Sequence, residues 1–348
     1  MKAITFTIVT HKAQSLNYGE TIGNVSTLKK LTIGNSIPKK LITYVSDKAL
    51  KYDIKRIGRD SFGWKLMDQS VLDVMKSCVS NIKKDKGDFD YDKFYKEMIT
   101  NYEEFDLFGG MFADIEGIGK YDSKSKTYKL EINNKEISVK IDTTKLQRTA
   151  PVRITNAHSI SEFANDSNLL NDIDAYNRYI QYTAGRKNQT LAYSDEHKSY
   201  YTYTILIDLD RIGCIEKIGQ DGKIQYECVL DNTTRKKRIE SLLQILFLCF
   251  HRNIRGRVEN LAPIFAIGGV YDIKHPIFHN AIRFYETDNG LKVSAEDIEN
   301  ICKNYSFISM DNTFVYHNNE VDLDLSVSNL TKKDVLKEII DNIVKNIP

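Results

Sequence analysis

Apolar and polar residues alternate over several short stretches of the chain, and this period of two predicts β-strands. Ala3 to Thr10 (AITFTIVT) shows the pattern first, and Tyr200 to Ile212 (YYTYTILIDLDRI) shows it most strongly. The segment PVRITNAH, residues 151–158, predicts a further strand. Turn residues at SKSK and INNKE divide residues 120–148 into β-type runs, so a hairpin excursion is expected there.

Other stretches have a helical period. Residues 66–105 are charged and mostly helical, with a break at KKDKGD. Ser46 is a suitable N-cap for a short helix that runs to about Arg56. The basic run Arg235 to Arg238 opens an apolar helix (IESLLQILFLCF) as a solvated first turn. Thr331 is predicted to cap a last amphipathic helix, TKKDVLKEIIDNIVKNI.

Taken together, these elements predict the α+β class. Strand, helix, strands, helix and more strands follow each other with long insertions, and a β-α-β-β-α-β ferredoxin-like arrangement accounts for this order economically. The 348 residues are enough for one large or two modest domains with a buried core.

The formal net charge of +2 hides a strongly basic segment. Nine lysines and arginines stand against two aspartates between Lys29 and Arg59, so the rest of the chain is net acidic. A polyanion-binding face on a nearly neutral body fits this distribution. A solvated, lysine-rich surface is the alternative.

The cysteines and the apolar runs indicate the compartment. Five scattered cysteines without a C-x-x-C pair favour a reduced, cytoplasmic protein with buried thiols over a disulfide or zinc framework. The longest apolar run, Leu242 to Phe250, is far shorter than the ~20 residues that span a bilayer. The first residues also lack a signal-peptide cleavage pattern, so no membrane association is expected.

Two basic clusters are candidates for phosphate contacts. Lys48, Lys51 and Lys55 follow Ser46 at helical spacing and share one face, near a helix N-terminus whose free N–H groups attract anions. The second cluster lies in the segment HRNIRGRVENLAP, where Gly256 allows a close backbone approach. Its polar candidates are Arg252, Arg255, Arg257 and Asn260. The alternative for this cluster is a surface loop that pairs with Glu259.

Aromatic residues are interleaved with these basic residues and can stack on single-stranded bases. They are Tyr18, Tyr44, Tyr52, Phe163 and Tyr182. Each of them taken alone also has a structural interpretation, because the chain contains 20 tyrosines.

The sequence offers two candidate metal sites. Asp208 and Asp210 would point to one face of their strand and could hold a divalent cation, although Arg211 lies next to them and no partner acidic motif is present. His275 and His279 have a ligand-like spacing, but Pro276 breaks the helix that would align them. No nucleophile motif or phosphate loop stands out, and we expect a protein that is not an enzyme.

Five stretches in order resemble one known family: SLNYGE, YVSDKALKYDIKR, DLFGGMF, RTAPVRITNAHSISEF and HRNIRGRVENLAPIF. They are similar to CRISPR-associated protein family seven, in its DevR-like branch, the repeated backbone subunit of the type I-B Cascade surveillance complex. The resemblance covers residues 2–265. The family's helix pattern, roughly I-S-S-Q-x-L-K-R, is matched at Ser46, Leu50 and Lys51, and the chain departs from it at Asp47, Lys48 and Tyr52.

The resemblance implies a ferredoxin-like, RNA-recognition-like (RRM-like) palm with a helical fingers insertion and an extended thumb. The palm would comprise residues 1–65, 106–156 with the hairpin excursion, and 200–348 with the C-terminal helix. The fingers would be residues 66–105 and the thumb residues 157–199.

The resemblance also implies a function. The chain would bind guide RNA (crRNA) without a cofactor or metal, polymerise with other copies of itself and other Cascade subunits, and present the guide bases to target DNA. Related type III subunits cut RNA with an aspartate in the loop before the first helix, and residues 21–46 contain no acidic residue. The implied RNA-binding set is Asn17, Tyr18, Ser46, Lys48, Lys51, Lys55, Arg153, His158, Phe163, Arg252, Arg255, Arg257 and Asn260.

Two other functions stay open at this point. One is a metal-dependent nuclease or nucleotidyl-transfer palm that uses Asp208 and Asp210. The other is a protein-interaction scaffold whose lysines are merely solvated.

Overall fold

A nine-stranded sheet forms the centre of the protein. The computed structural model describes residues 2–34, 39–112, 119–123, 125–170, 192–306, 310–323 and 330–347. The strands of the central sheet are β1 (Ala3–Thr10), β2 (Lys30–Ile33), β3 (Lys40–Val45), β4 (Val152–Ile154), β5 (Ala157–Ser159), β6 (Tyr201–Asp208), β7 (Pro263–Tyr271), β8 (Thr313–His317) and β9 (Thr331–Lys332).

The sheet has the spatial order β9-β8-β7-β1-β6-β5-β3-β2, and β4 also pairs with β6. All pairs are antiparallel except β8 with β9. The predicted strands at Ala3 to Thr10 and within residues 200–212 are confirmed. The segment 151–158 forms two short strands, β4 and β5, instead of one.

The described residues contain seven α-helices. They are α1 (Asp47–Phe62), α2 (Val71–Ser77), α3 (Tyr91–Asn101), α4 (Glu103–Phe108), α5 (Asn232–Gln244), α6 (Ala295–Asn304) and α7 (Leu336–Asn346), with a 3-10 turn at Thr143–Lys145 and a π-helical turn at Ile245–Cys249. None of the helices in these described ranges is long and apolar enough to cross a membrane.

Helix α1 is longer than the sequence predicted. It continues past Arg56 to Phe62 because Ile54 and Ile57 keep its apolar stripe in the core. Trp64 then folds back on the last turn, and a Cβ on Gly58 would lie only 2.1 Å from the Trp64 ring. Glycine at position 58 therefore allows Trp64 to pack on the last turn, and the helix ends with its C-cap Gly63, whose φ of 68° is left-handed.

Both faces of the central sheet are covered, which is why every residue of β1 is buried. Ile4, Phe6 and Ile8 point into a core that α1, α5 and α7 cover. The Phe6 ring meets the Phe247 ring edge to face at 5.1 Å. A second core, which includes α6, lies against β7 on the opposite side.

Residues 66–105 form a unit with its own core. The KKDKGD break is the turn of a hairpin, Val79–Lys83 with Lys86–Phe89, so this segment is less helical than predicted. The predicted excursion forms the strands Gly119–Asp122, Thr127–Ile132 and Lys135–Val139. Together with the two strands of the hairpin they make one five-stranded sheet. The excursion therefore packs with the segment that was predicted as fingers.

The segment predicted as the thumb, residues 157–199, is divided in the structure. Its first strand, β5, belongs to the central sheet, and its residues 171–191, with Tyr182, lie outside the described residues. A separate four-stranded sheet joins Asp166–Leu170 and Ala192–Glu196 to the early strands Val25–Leu28 and Tyr18–Ile22.

Short strands complete the fold, most of them in hairpins at its periphery. They are Ala13–Gln14, Gly110–Met111, Gln147–Arg148, Lys198–Ser199, Cys214–Ile218, Ile224–Cys228, His251–Ile254, Arg257–Asn260, Phe284–Thr287, Gly290–Val293 and Val321–Asp322.

Two local expectations are wrong. Thr331 lies in β9, and the last helix begins only at Leu336, because Thr331 pairs with Phe314 of the sheet. Cys214 and Cys228 face each other across a hairpin and form a disulfide, which the spacing of the cysteines did not predict. Of the remaining cysteines, Cys78 is a buried thiol whose pKa burial raises to about 11, whereas Cys249 is exposed.

The basic start of α5 is also not solvated as predicted. Arg238 is buried and donates to the Asp106 carboxylate at 2.8 Å and to the Ile99 carbonyl at 2.7 Å. Arg148 donates to the other oxygen of Asp106 at 2.9 Å. Burial lowers the pKa of Arg148, and the neighbouring Asp106 charge opposes that shift. The aspartate of the DLFGGMF motif thus forms ion pairs with two buried arginines.

Candidate nucleic-acid interface

The N-terminus of α1 is capped by side chains from two parts of the chain. Ser46 has an extended backbone, and its hydroxyl accepts a hydrogen bond from the Ala49 N–H at 3.4 Å. Asn17 donates its amide to the same hydroxyl at 3.4 Å. Asn156 accepts from the Asp47 N–H at 3.0 Å, so the β4–β5 connection also touches this helix end. Asn156 was not among the predicted site residues, although it lies within the RTAPVRITNAHSISEF motif.

The three lysines of α1 differ in their surroundings. The Lys51 ammonium lies 3.0 Å from the Asp47 carboxylate, and the Lys55 ammonium lies 2.8 Å from Glu104 of α4. Lys48 is exposed and makes no ion pair with any residue that the structure describes. The predicted stripe therefore contains one unengaged charge and two that are already neutralised within the protein.

The second basic cluster is a hairpin, His251–Ile254 paired with Arg257–Asn260, which we call the arginine hairpin. Its turn consists of Arg255 and Gly256, which have φ values of 48° and 78°. Positive φ at both turn residues matches the right-handed twist of the strands, and glycine adopts it without strain. The turn holds the exposed Arg255 guanidinium 3.7 Å from the centre of the Tyr18 ring.

The remaining polar residues of the arginine hairpin bind within the protein. Arg252 forms an ion pair with the buried Asp53 and donates to the Leu16 carbonyl at 2.7 Å. Arg257 lies 4.0 Å from Glu259, which is the pairing that the alternative interpretation predicted. Asn260 accepts a hydrogen bond from the Ala262 N–H at 2.9 Å.

Glu196 ties the arginine hairpin to the N-terminal segment. Its carboxylate accepts from Gln14 and Ser15, each at 2.7 Å, and from Arg257 at 3.5 Å. Burial alone would raise the pKa of Glu196, but the hydrogen bonds from Gln14 and Ser15 and the Arg257 charge lower it below its ordinary value. Because these partners lie far apart in the chain, no sequence pattern indicates a role for Glu196.

Phe163 does not offer an open ring for base stacking, contrary to the prediction. It is buried, with only 6% of its surface exposed. The Lys30 ammonium lies 4.2 Å from the centre of the ring, and the His197 ring meets it edge to face at 5.7 Å. Tyr52 on α1, by contrast, is 62% exposed.

Arg153 and His158 lie on the two short strands beside the α1 N-terminus. Arg153 is exposed on β4. His158 lines a small cavity of about 50 Å³ together with Thr7, Thr204 and His279. Burial lowers the pKa of His158, and the nearby His279 lowers it further. His158 is therefore a half-buried neutral ring at the edge of the candidate interface.

Asp208 and Asp210 meet at a lysine. Asp208 ends β6 and Asp210 lies in the turn after it, so the two do not share one strand as predicted. The Lys274 ammonium lies 2.7 Å from Asp208 and 3.0 Å from Asp210. Burial opposes the charged lysine, yet the two carboxylates raise the pKa of Lys274 above its ordinary value. A cationic side chain thus occupies the position that a metal would need.

The two histidines of the candidate zinc site have different partners. His275 stacks on Tyr305 with ring centres 5.9 Å apart. His279 instead lies with its Nδ1 3.3 Å from the Thr204 hydroxyl. Among the described residues, no group of three or more histidines, cysteines or carboxylates could hold a metal ion.

Comparison with known proteins identifies the family. The family model described as CRISPR-associated negative auto-regulator DevR/Csa2 matches residues 4–289. The chain belongs to the DevR/Csa2 family. The matched range contains the capped end of α1 and the arginine hairpin, and α6 and α7 of this DevR/Csa2 protein lie beyond it. No curated protein matches the sequence.

Two solved structures share the fold of this DevR/Csa2 protein. A chain of a "CRISPR RNA-guided surveillance complex" has a TM-score of 0.51 and 13% sequence identity, with 99% of this chain and 98% of that chain covered. A chain of a "CRISPR RNA-guided surveillance complex, pre-nicking" has a TM-score of 0.57 and 12% identity, with 99% and 100% covered. The likeness extends over the whole chain, so it includes the central sheet and the units around it.

Proposed function

We propose that this DevR/Csa2 protein is the crRNA-binding backbone subunit of a type I-B Cascade complex, in the branch of CRISPR-associated family seven. The observation that carries the proposal is the convergence of separate chain segments at one helix end. Lys48 lies in the first turn of α1, Asn17 binds the Ser46 cap, and the next residue, Tyr18, lies under the Arg255 guanidinium. Cationic side chains, the N-terminal end of a helix dipole and a stacked guanidinium suit a single-stranded nucleic acid.

The order of the central strands supports a ferredoxin-like palm. Strands β7, β1, β6 and β4 are neighbours in antiparallel pairs, with α1 between β1 and β4 in the chain and α5 between β6 and β7. This is the 4-1-3-2 order that a β-α-β-β-α-β chain gives. We further propose that the unit built on residues 66–105 serves as the fingers and that residues 157–199 contribute the thumb.

In this mechanism the protein contacts the sugar–phosphate backbone of the guide RNA, and the guide bases pair with the target. Lysines and arginines neutralise phosphates regardless of sequence. Guide bases on an extended path stay available for pairing with target DNA, so the guide supplies the specificity. Copies of the chain would pack side by side along the guide with other Cascade subunits in the cytoplasm. A body with a net charge of only +2 allows such packing.

We propose that the subunit is not catalytic. The loop before α1 lacks the aspartate that a cleaving relative would use. The Asp208–Asp210 pair is neutralised by Lys274. The second candidate, a metal-dependent palm, requires that Asp210→Asn abolish a metal-dependent cleavage. RNA binding with no cleavage in either form would exclude that candidate.

The experiment that tests the proposal is purification from a bacterial cytoplasm. The 260/280 absorbance ratio and size-exclusion light scattering are recorded before and after ribonuclease treatment. We expect a large oligomer that carries RNA and dissociates when the RNA is digested. A nucleic-acid-free monomer that also fails to bind added single-stranded RNA at low salt would contradict the proposal.

A further inference from the structure

Asp53 is a buried carboxylate of α1, and it was not among the predicted site residues although it lies within the YVSDKALKYDIKR motif. Its side chain is 3% exposed. One oxygen accepts from Arg56 of the same helix, at 3.3 Å from Nη2, and the other pairs with Arg252 of the arginine hairpin. Both carboxylate oxygens are therefore used within the protein. A buried carboxylate with two guanidinium partners is a strong, directional link.

The two arginines that Asp53 neutralises bind three different segments. Arg252 donates to the Leu16 carbonyl at 2.7 Å and to the Ala49 carbonyl at 3.2 Å. Arg56 donates to the His251 carbonyl at 3.2 Å. These bonds join the segment before Tyr18, the first turn of α1 and the base of the arginine hairpin. Without the carboxylate, two guanidinium groups would face each other in a largely buried place.

We propose that Asp53 is a positioning residue for nucleic-acid binding. It holds the arginine hairpin against α1, so that Arg255 stays over Tyr18, whose neighbour Asn17 binds the Ser46 cap of α1. Asp53 itself does not touch the RNA. This inference rests on the proposed function, because it assumes that the ligand is single-stranded RNA.

The sign of the charge makes the inference testable. Asp53 is an anion within a site for a polyanion, so electrostatics alone predicts that Asp53→Asn strengthens RNA binding. If Asp53 positions the arginine hairpin, Asp53→Asn should instead weaken RNA binding, because the amide lacks the negative charge that pairs with Arg252 and Arg56. The matched control is Asp47→Asn on the same helix, which releases Lys51 from its ion pair. Asp47→Asn should bind RNA at least as tightly as the wild type.

The measurement is the dissociation constant for a fluorescent single-stranded RNA over a range of salt concentrations, with ribonuclease-treated protein. For Asp53→Asn we expect about tenfold weaker binding. The slope of the logarithm of the binding constant against the logarithm of the salt concentration should fall by about 1 to 2, which corresponds to the loss of that number of phosphate contacts. Hydrogen exchange should also become faster at the backbone amides of His251 to Asn260. Emission from Trp64, the one tryptophan of the chain, verifies that the α1 region remains folded.

The remaining outcomes are decisive. Asp53→Asn that binds RNA as tightly as the wild type, or more tightly, would overturn the inference, even if its melting temperature falls. If Asp53→Asn does not fold, Arg252→Lys replaces it, because lysine keeps the charge but cannot make the same set of bonds. Folded Arg252→Lys with weakened binding supports positioning, and unchanged binding overturns it.

Failure of the proposed function would look different. If the wild-type chain does not bind RNA, the assigned ligand is wrong. Faster hydrogen exchange in the arginine hairpin of Asp53→Asn would then still show the link between Asp53 and the hairpin.

Discussion

The Lys55 ammonium lies 2.8 Å from the Glu104 carboxylate and so joins α1 to α4. The two side chains are 27% and 14% exposed, so this is not a freely solvated surface pair. Lys48, on the same face of α1, makes no such pair within the described ranges. Lys48 and Lys55 therefore share a helix face but lie in different electrostatic surroundings.

The first prediction concerns RNA affinity along this face. Lys48→Ala should weaken RNA binding about threefold and lower the salt slope by about 1, because it removes an unengaged cation. Lys55→Ala should have a smaller effect, since Glu104 already neutralises Lys55. Equilibrium binding to single-stranded RNA over a salt series measures both. Lys223→Ala serves as the control, because Lys223 is 82% exposed at a hairpin tip outside the interface. Equal losses for Lys48→Ala and Lys55→Ala would contradict this prediction.

The second prediction concerns stability at Asp106. Asp106→Asn should lower the free energy of unfolding by about 3–5 kcal/mol, because the buried Arg148 would lose its carboxylate partner and Arg238 would keep only Glu103. Urea unfolding followed by circular dichroism measures this change. Asp60→Asn is the control, since Asp60 pairs with Arg59 at the exposed surface. An Asp106→Asn protein as stable as the control would show that the two arginines find other partners.

The third prediction concerns the acidic pair at the end of β6. Lys274→Met should leave Asp208 and Asp210 without their cation, so millimolar Mg²⁺ should raise the melting temperature of this variant. The wild-type protein should not respond to Mg²⁺. Thermal unfolding with Mg²⁺ or with a chelator measures the difference. A Mg²⁺ response in the wild type, combined with cleavage that Asp210→Asn removes, would favour the metal-dependent palm.

The fourth prediction concerns pH. His197 is buried beside Phe163, its Nδ1 lies 2.7 Å from the Thr43 hydroxyl, and burial lowers its pKa below the ordinary value. A lowered histidine pKa means that the unfolded chain binds the proton more readily. Its contribution to stability is therefore complete above about pH 6.5, the ordinary histidine pKa, and is lost as the pH falls through the lower folded value.

Melting temperatures between pH 7.5 and pH 5.5 test this contribution. His197→Gln, which cannot titrate in this range, should show a shallower decline than the wild type. His158 and His279 also have pKa values lowered by burial, so part of the decline should remain. An identical slope in the wild type and His197→Gln would contradict the assignment to His197.

The local pattern was sufficient for the main strands and for the start of α1. The alternation in AITFTIVT predicted β1 with its correct bounds, and Ser46 was correctly placed as the N-cap. The central strands are determined locally because a strand with alternating side chains has to bury its apolar face. The predicted helix ends were less accurate, because packing extends α1 to Phe62 and Thr331 pairs with Phe314 in the central sheet.

The candidate interface was predictable only in part. Tyr18 and Arg255 were both selected from the sequence, but only the fold brings the guanidinium to 3.7 Å from the ring centre, although 236 residues separate the two in the chain. Arg252 and Arg257 looked equivalent to Arg255, yet they pair with Asp53 and with Glu196 and Glu259. Phe163 looked like an exposed aromatic residue and is buried. Partner choice depends on distances between remote segments, which no local pattern contains.

The residue types that meet in this protein are evident from local sequence patterns: a basic segment before and within α1, a glycine-bearing arginine turn, and strands able to form a closed core. Which of the charges remain available depends on how these elements pack. Ion pairs require side chains within a few ångströms, and such distances arise only when the sheet and helices pack. Lys48 and Arg255 were left at the surface by that packing, while Asp53, Glu104 and Asp106 neutralised their basic neighbours.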